Sequence, residues 1–492
     1  MIRRDFCRNA LVAAVSALSR GPVSTLVASA QASAKSSQAP GLTQYVSEFI
    51  VNTKYEDIPE DIVALGKKSI LDGFGLALAG STSVIAPLVR RYVRTLGVSE
   101  ERASIIGTEI KAAPRFAAFA NGISIHSDDF DDTAMITATL LHATAPVLPP
   151  AFALCESGRR TGKELMLAYH LGVEVGCKIA QAISPRHFND GYHPTGTIGS
   201  FSSAAACAKL RGLNALQTAY SLGIAAAEAA GLRDNFGSMT KPFQAGHPAE
   251  SGVVAADLAS IGWTAASDIL EAPAGFFHAA GGGFNPDAIV NRLGNPWTFA
   301  SPGVLLKRFP CGTIQQPFMD ETLRLIRQHD ITAAGVEIVE VGGSRLEVDT
   351  LLHHHPATGL QGKFSMEFCV SILLLERKAA GLSQFTDAVV QRPDVQDLIR
   401  LVNFYAVPQS NGKTGSDNLS IHMKDGRVFS GRAQFAKGSP ENPMSYDEVA
   451  EKFMGNAAFA KWPAKKAASV VELVKSLEHV SDMSPLTAAL TS

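Results

Sequence analysis

Hydrophobic positions recur with a helical period over most of this chain. Pro59 opens a pattern that runs through Leu78 and stops at Gly80, and Thr43 stands as a cap before a shorter one reaching Asn52. Thr161 and Glu164 make a capping box ahead of Leu165, Ala168, Leu171, Val175 and Ile179, which share one helical face. Asn214 caps an Ala-rich stretch to Ala230, and Ser267 precedes residues 268–271 as a further cap. Small residues at 204–206, 225–230 and 253–259 let neighbouring helices approach closely. No period-two stretch stands out before about residue 300.

Near residue 303 the pattern changes. Residues 335–341 have strand character, and residues 418–435 alternate on either side of Asp425-Gly426, a turn pair tolerant of positive φ and hence a hairpin. Helices are predicted at 316–328 and 366–380, the second closed by Gly381. Beyond Pro443 the helical period returns: Ser445 and Glu448 make a capping box, and a last helix spans 464–477. The patterns predict a mainly α protein, with an all-helical large domain (41–302 plus 440–492) and a smaller α+β lid domain (303–439).

Composition narrows this picture. The chain has 492 residues, 46% hydrophobic and 18% charged, with a formal net charge of -2, which describes a globular protein long enough for two cores. No basic run or aromatic-interleaved stripe suggests a nucleic-acid partner. Residues 1–30 differ from the rest: Arg3-Arg4 precede Phe6, an apolar run from Ala10 to Leu18 follows, and Ala28-Ser29-Ala30 forms a small-residue cleavage signal. This order resembles a twin-arginine export signal. Residues 1–30 are therefore expected to be a signal peptide and 31–40 a linker, with the mature protein periplasmic and a cytoplasmic location the alternative. The apolar run is too short to cross a bilayer, so no stable membrane anchor is expected. Beyond Cys7, the cysteines at 155, 177, 207, 311 and 369 are odd in number and widely spaced, which excludes a disulfide framework or a zinc site.

Candidate chemistry concentrates in residues 121–150. Asp128, Asp129, Asp131 and Asp132 fall within five positions, His126 precedes them, and Thr133 and His142 follow. Acids this crowded belong on a solvated helical turn or at a site that supplies cations and donors. His193 stands on a Gly/Pro-fixed turn before a small-residue helix, beside free helical N–H groups. Lys241 and His247 precede another such helix, where Lys241 suits a carboxylate partner or, desolvated, a base. Cys311 follows Lys307 and Arg308, which favours a thiolate, while a buried inert thiol is the plainer reading. His353, His354 and His355 lack acidic or thiol ligands at metal spacing. Asp129 to Thr133 fits the D-x-D-x-T pattern of Mg²⁺-dependent phosphoryl transfer, but the apolar strand that must run into its first Asp is missing. Nothing matches a G-x-S-x-G elbow, a phosphate loop with Lys, or H-E-x-x-H.

Taken in order, the segments NGISIHSDDFDDT, HATAPVLPP, GYHPTGTIGSFSSAAA, MTKPFQAGHPAESGVVAADLA, KRFPCGTIQQP and GLQGKFSMEFCV resemble the MmgE/PrpD family over nearly the whole chain from Leu42. The resemblance implies a helical large domain with an α+β lid, a homodimer, and no metal or organic cofactor. It implies a lyase or isomerase that moves a proton next to a carboxylate of a small acid, dehydration or hydration foremost, epimerisation or decarboxylation as alternatives. The implied catalytic residues are Asp129, Thr133, His142, His193 and Lys241, with His126, His247 and Gln316 binding substrate. His193 and Lys241 suit general base or carboxylate clamp, Asp129 and Thr133 orienting groups, and His142 a partner acid. Gln316 stands where members carry a His, and Phe368 where the cis-aconitate decarboxylases resembled here carry a Tyr. Gln exchanges no proton near neutral pH and Phe has no hydroxyl. These departures argue against decarboxylation of cis-aconitate and leave a non-catalytic carboxylate-binding protein as the rival reading.

Overall fold

The computed structural model describes residues 41–96, 102–136, 139–407 and 418–492; the expected signal peptide and linker lie outside them. Helices Leu42–Asn52, Glu60–Gly80, Leu148–Gly158, Gly162–Ile183, Pro194–Arg211, Ala215–Ala227 and Thr240–Ser260 surround one apolar core, to which Tyr446–Phe459 and Ala464–Lys475 return. The capping boxes at Thr161, Asn214 and Ser445 all form. Thr43 does not cap. It is buried, donates to Glu271 and accepts the Leu270 N–H at 3.0 Å, so Gly41 is the cap residue. The same bonds pin residues 268–271 as turns in place of the helix expected after Ser267.

The Thr240–Ser260 helix packs between Pro114–His126 and Pro194–Arg211. Glycine sets the first crossing: a Cβ on Gly122 would lie 2.9 Å from Gly246 Cα, and one on Gly246 would lie 2.5 Å from the Phe119 carbonyl oxygen. Contact this close brings the end of one helix, carrying His126, against the start of the other, carrying Lys241.

A second apolar core gathers residues from Phe309 to Met423. Its sheet runs in the order Val402–Ala406, Val336–Gly343, Leu419–Met423, Val428–Gly431, the first pair parallel and the others antiparallel. Helices Gln316–His329 and Met366–Glu376 pack on it. Strand Val402–Ala406 escaped the sequence reading because it is short and buries only Val402 and Phe404. The Met366–Glu376 helix stops before the expected Gly381, since Arg377 takes a left-handed φ of 54° and returns its N–H to the Leu373 carbonyl. One short pairing bears on function. Thr133–Ala134 runs antiparallel to Val304–Leu305, with Thr133 opposite Leu305, and so ties the acid-rich loop to the stretch that enters the second core.

Candidate active site

The Pro114–His126 helix ends as the acid-rich stretch begins, so its carboxylates occupy a loop and not the solvated helical turn considered from sequence. Asp129, Asp131 and Asp132 are buried. Asp129 adopts a φ of 52°, a left-handed conformation sparse for non-glycine residues and concentrated at functional sites. A preceding helix and a left-handed turn also remove the strand that aspartyl phosphoryl transfer requires.

Two ammonium groups converge on Asp129. Lys241 Nζ lies 2.6 Å from Asp129 Oδ1 and 3.0 Å from His126 Nε2. Lys307, fully buried, donates to Asp129 Oδ1 at 3.1 Å and to its carbonyl oxygen at 2.9 Å. Burial pushes the Asp129 carboxyl up, but Lys241 and Lys307 outweigh it and hold the group well below the usual carboxylate range. Burial also lowers the Lys241 ammonium, which Asp129 partly restores. The second carboxylate oxygen, Asp129 Oδ2, is buried without a hydrogen-bond partner.

Three imidazoles complete the cluster. Asp131 accepts from His126 Nδ1 at 2.8 Å, while His142 Nδ1 donates to the Asp132 carbonyl at 2.8 Å and lies 3.1 Å from Asp131 Oδ2. The first bond places the His126 proton on Nδ1 and leaves Nε2 to accept from Lys241. Burial, against the opposing pull of Asp131, brings His126 down to about 4, and it lowers His142 as well. His193 is the N-cap residue of Pro194–Arg211 and makes no side-chain capping bond. Its Nδ1 donates to Gln244 Oε1 at 3.1 Å, because the Gln244 amide nitrogen is committed to the Leu232 carbonyl. His193 Nε2 is buried with no partner, and burial together with Lys241 drives this ring well below the ordinary histidine range. Behind the cluster, Asp132 accepts from the Thr144 N–H at 3.0 Å and hydroxyl at 2.6 Å, and burial pushes it up to about 7.

The second core closes the site from the other side. Thr313 Oγ1 lies 2.8 Å from Thr133 Oγ1, and Lys363 donates to the Asp128 carbonyl and Oδ1, both at 2.8 Å. Phe236 and Phe364 stack with centroids 6.3 Å apart, each within 5.5 Å of the Lys241 ammonium. Between Asp129, His142, Lys241, Lys307, Thr313 and Phe364 remains a cavity of about 30 Å³. A wider surface groove of about 940 Å³ runs along the C-terminal helices, but it brings together no such set of buried acids, imidazoles and ammonium groups.

One ring nitrogen from each of His126, His142 and His193 falls within 4.8 Å of the others, a metal-like spacing. The donor set does not fit a divalent cation. His126 Nε2 already serves Lys241, and two buried ammonium groups adjoin the space an ion would fill.

Of the residues singled out from sequence, Asp129, Thr133, His126, His142, His193 and Lys241 come together here. His247 does not: it stacks on Phe243 with centroids 5.7 Å apart and lines a separate groove with Ile85, Leu88 and Tyr92. Gln316 does not either. Its Oε1 accepts from the Arg308 and Phe309 N–H groups at 3.0 and 3.1 Å and its Nε2 donates to the Phe309 carbonyl at 2.9 Å, so it closes the turn after Lys307. Phe368 packs edge-on against Phe385 inside the second core. The sequence reading missed Lys307 and Thr313. Lys307 stands two residues past Leu305, in strand phase with a buried side chain, and a lysine in that phase was the available signal.

The MmgE/PrpD N-terminal domain model matches residues 44–289 and the MmgE/PrpD C-terminal domain model residues 309–477. Cis-aconitate decarboxylase of Homo sapiens is 27% identical over 464 residues, covering 91% of this chain and 94% of that protein. The Mus musculus enzyme of that name is 26% identical over 465 residues (91% and 93%), and that of Aspergillus terreus 27% over 485 residues (92% and 96%). The relatives aligned over nine-tenths of the chain are mammalian and fungal enzymes without bacterial twin-arginine signals, and they overturn the expected export to the periplasm. The residues on which that expectation rested lie outside those described. Among the described residues no helix is long and apolar enough to cross a membrane.

Proposed function

The chain belongs to the MmgE/PrpD family, and from that premise we propose that it is a cofactor-independent lyase that releases CO2 from a small unsaturated polycarboxylic acid of the cis-aconitate type. The observation that carries this reading is the buried junction where Lys241 is shared by Asp129 and His126 while His193 Nε2 stands unpartnered. Lys241 and Lys307 suit the neutralisation of substrate carboxylates, and an imidazole with a free nitrogen suits proton delivery to the carbon that loses CO2. Asp129 orients the two ammonium groups, Asp131 fixes the tautomer of His126 and the Asp132 carbonyl that of His142, and the Thr133–Thr313 pair holds the two sides of the site together.

The preference for dehydration over decarboxylation rested on Gln316 and Phe368, and neither faces the cavity. The relatives, named for decarboxylation of cis-aconitate, then favour decarboxylation. A six-carbon acid exceeds a 30 Å³ cavity, so binding requires side chains of its lining, which include Phe236 and Phe364, to shift. A homodimer is part of the same proposal, and sedimentation equilibrium tests it.

Proton NMR of the full chain in D2O with cis-aconitate and a panel of di- and tricarboxylates tests the reaction. The expected result is loss of substrate signal with release of CO2 and a five-carbon unsaturated product carrying one carbon-bound deuterium, unaffected by EDTA. Water addition without CO2 would replace this reading with hydration; no turnover of any acid by folded protein would overturn the enzyme reading.

A further inference from the structure

The charges around the cavity already cancel. Lys241 and Lys307 share Asp129, Lys363 holds Asp128, and Asp131 lies between His126 and His142. The ammonium groups lining the cavity, Lys241 and Lys307, already share the Asp129 carboxylate, so they offset part of the charge of an incoming polyanion and not all of it. The buried polar atoms of this cluster that lack partners, His193 Nε2, Asp129 Oδ2 and Asp128 Oδ2, are all acceptors. A polyanion entering this space adds negative charge beyond what these two shared ammonium groups offset, and it meets the lone pairs of His193 Nε2 and Asp129 Oδ2. Burying an uncompensated carboxylate costs several kcal/mol, and a group that can bind a proton does so when a negative charge arrives beside it.

We propose that the site takes up its polycarboxylate together with a proton seated on His193 Nε2, so that binding and proton uptake are one event. This rests on the carboxylate reading above and adds its proton inventory. His193 stands behind the cavity wall, its ring centroid 5.0 Å from that of Phe236 and 6.4 Å from that of His142, which line the cavity. It is the fitting seat because Gln244 fixes its other nitrogen as the donor, leaving Nε2 as the vacant position in the neutral ring. The charged and titratable groups facing it are Lys241 on the Thr240–Ser260 helix, His126 at the end of Pro114–His126, and His142 from the loop before Leu148–Gly158. All of these disfavour a proton on the empty ring, and a bound carboxylate reverses that balance. In the chemical step the C–C bond to one carboxylate breaks, CO2 departs, and the electron pair left on the carbon frame takes the His193 proton. The ring returns to neutral, and each CO2 released consumes one proton from solvent.

Isothermal titration of the full chain with propane-1,2,3-tricarboxylate, a saturated acid of the same class, tests this. The titration is run at about pH 7.5, where the free acid is largely ionised, in two buffers of different ionisation enthalpy. The expected result is a heat that differs between buffers by about one proton per site, with Kd weakening by roughly tenfold per pH unit above neutrality. His193→Gln is expected to bind more weakly and lose most of the uptake, while His278→Gln, on an exposed surface, keeps it. Binding with equal heats in both buffers, or uptake unchanged in His193→Gln, would overturn the proposal while leaving the carboxylate reading intact. If His193→Gln does not fold, the wild-type Kd decides alone, and a Kd independent of pH from about 6.5 to 8.5 overturns the proposal. Absence of binding by this and every other polycarboxylate tested would overturn the carboxylate reading itself.

Discussion

Gln316 and His193 are both buried, polar and close to a turn, yet they behave oppositely. The Gln316 amide spends its hydrogen-bonding capacity within its own turn, accepting from two backbone N–H groups and donating to the Phe309 carbonyl. His193 spends one nitrogen on Gln244 and leaves the other, buried, with nothing. A closed set of bonds stabilises a shape, whereas an orphaned acceptor costs about 1–3 kcal/mol and persists where something else bears on it. Asp129 makes the same contrast more sharply, because it combines a left-handed backbone, two ammonium partners and an unpartnered oxygen. Chemistry belongs with the open set and architecture with the closed one.

The largest test breaks the open set. Lys241→Ala removes a cation from Asp129 and the donor to His126, and activity is expected to fall by about 10²–10⁴-fold while the chain still folds. Lys307→Ala should act similarly on rate but cost more stability, about 3–5 kcal/mol, since it also strips the Asp129 carbonyl. Steady-state kinetics beside urea denaturation separate the two effects; full activity in Lys241→Ala would dissolve the contrast.

Breaking the closed set should do the reverse. Gln316→Ala strands the N–H groups of half-buried Arg308 and buried Phe309 and is expected to cost about 2–4 kcal/mol, with kcat per folded molecule within roughly threefold. Phe368→Tyr should cost about 1–3 kcal/mol by forcing a hydroxyl into the second core, and bring no gain in turnover. A collapse of kcat in Gln316→Ala at unchanged stability would move Gln316 into the site.

A subtler effect separates Asp132 from its neighbours. Its carboxyl is raised from 3.8 to about 7 in the fold, so folding favours the protonated form. The associated stability is fully present below the unfolded pKa and is lost as pH rises through about 7. His126, lowered from 6.5 to about 4, has the opposite sign: its contribution is present above 6.5 and is lost as pH falls toward 4. The two slopes oppose each other between about pH 4 and 6.5. Asp132→Asn removes one of them, and its stability relative to wild type is expected to improve by a few kcal/mol as pH rises from about 4 to 7. Denaturation across that range reads the crossing, and a pH-independent difference would mean that Asp132 is ionised throughout.

What the sequence made legible follows the range of the interactions involved. The boxes at Thr161, Asn214 and Ser445 are local side-chain-to-backbone bonds, and they form as read. His126, Asp129 and Lys241 were legible as unusual residue types in crowded or turn-flanked settings, and close helix packing at Gly122 and Gly246 brings them together. Lys307 was not, because its place depends on the pairing of Thr133 with Leu305 across a gap of more than 170 residues. Gln316 was misread because a polar side chain in sequence carries no sign of whether its partners lie in its own turn. The helix closure placed at Gly381 failed for a related reason: Arg377 ends that helix in a conformation that sequence preference assigns to glycine.

The smallest expected effect concerns His247. It follows Lys241 by six residues on one helix, so at 3.6 residues per turn the two side chains point about 120° apart, onto different faces. Lys241 faces the buried junction, while His247 lies over Phe243 and faces the groove formed with Ile85, Leu88 and Tyr92. His247→Gln keeps a polar side chain of similar length and removes only that stacking, which is worth about 0.5–1.5 kcal/mol at most. Its kcat/KM is therefore expected to stay within about twofold of wild type, with a small drop in Tm. A fall in kcat at unchanged Tm would mean that the groove on another face of this helix controls where Lys241 sits, and the line between open and closed sets would have to be redrawn around the whole Thr240–Ser260 helix.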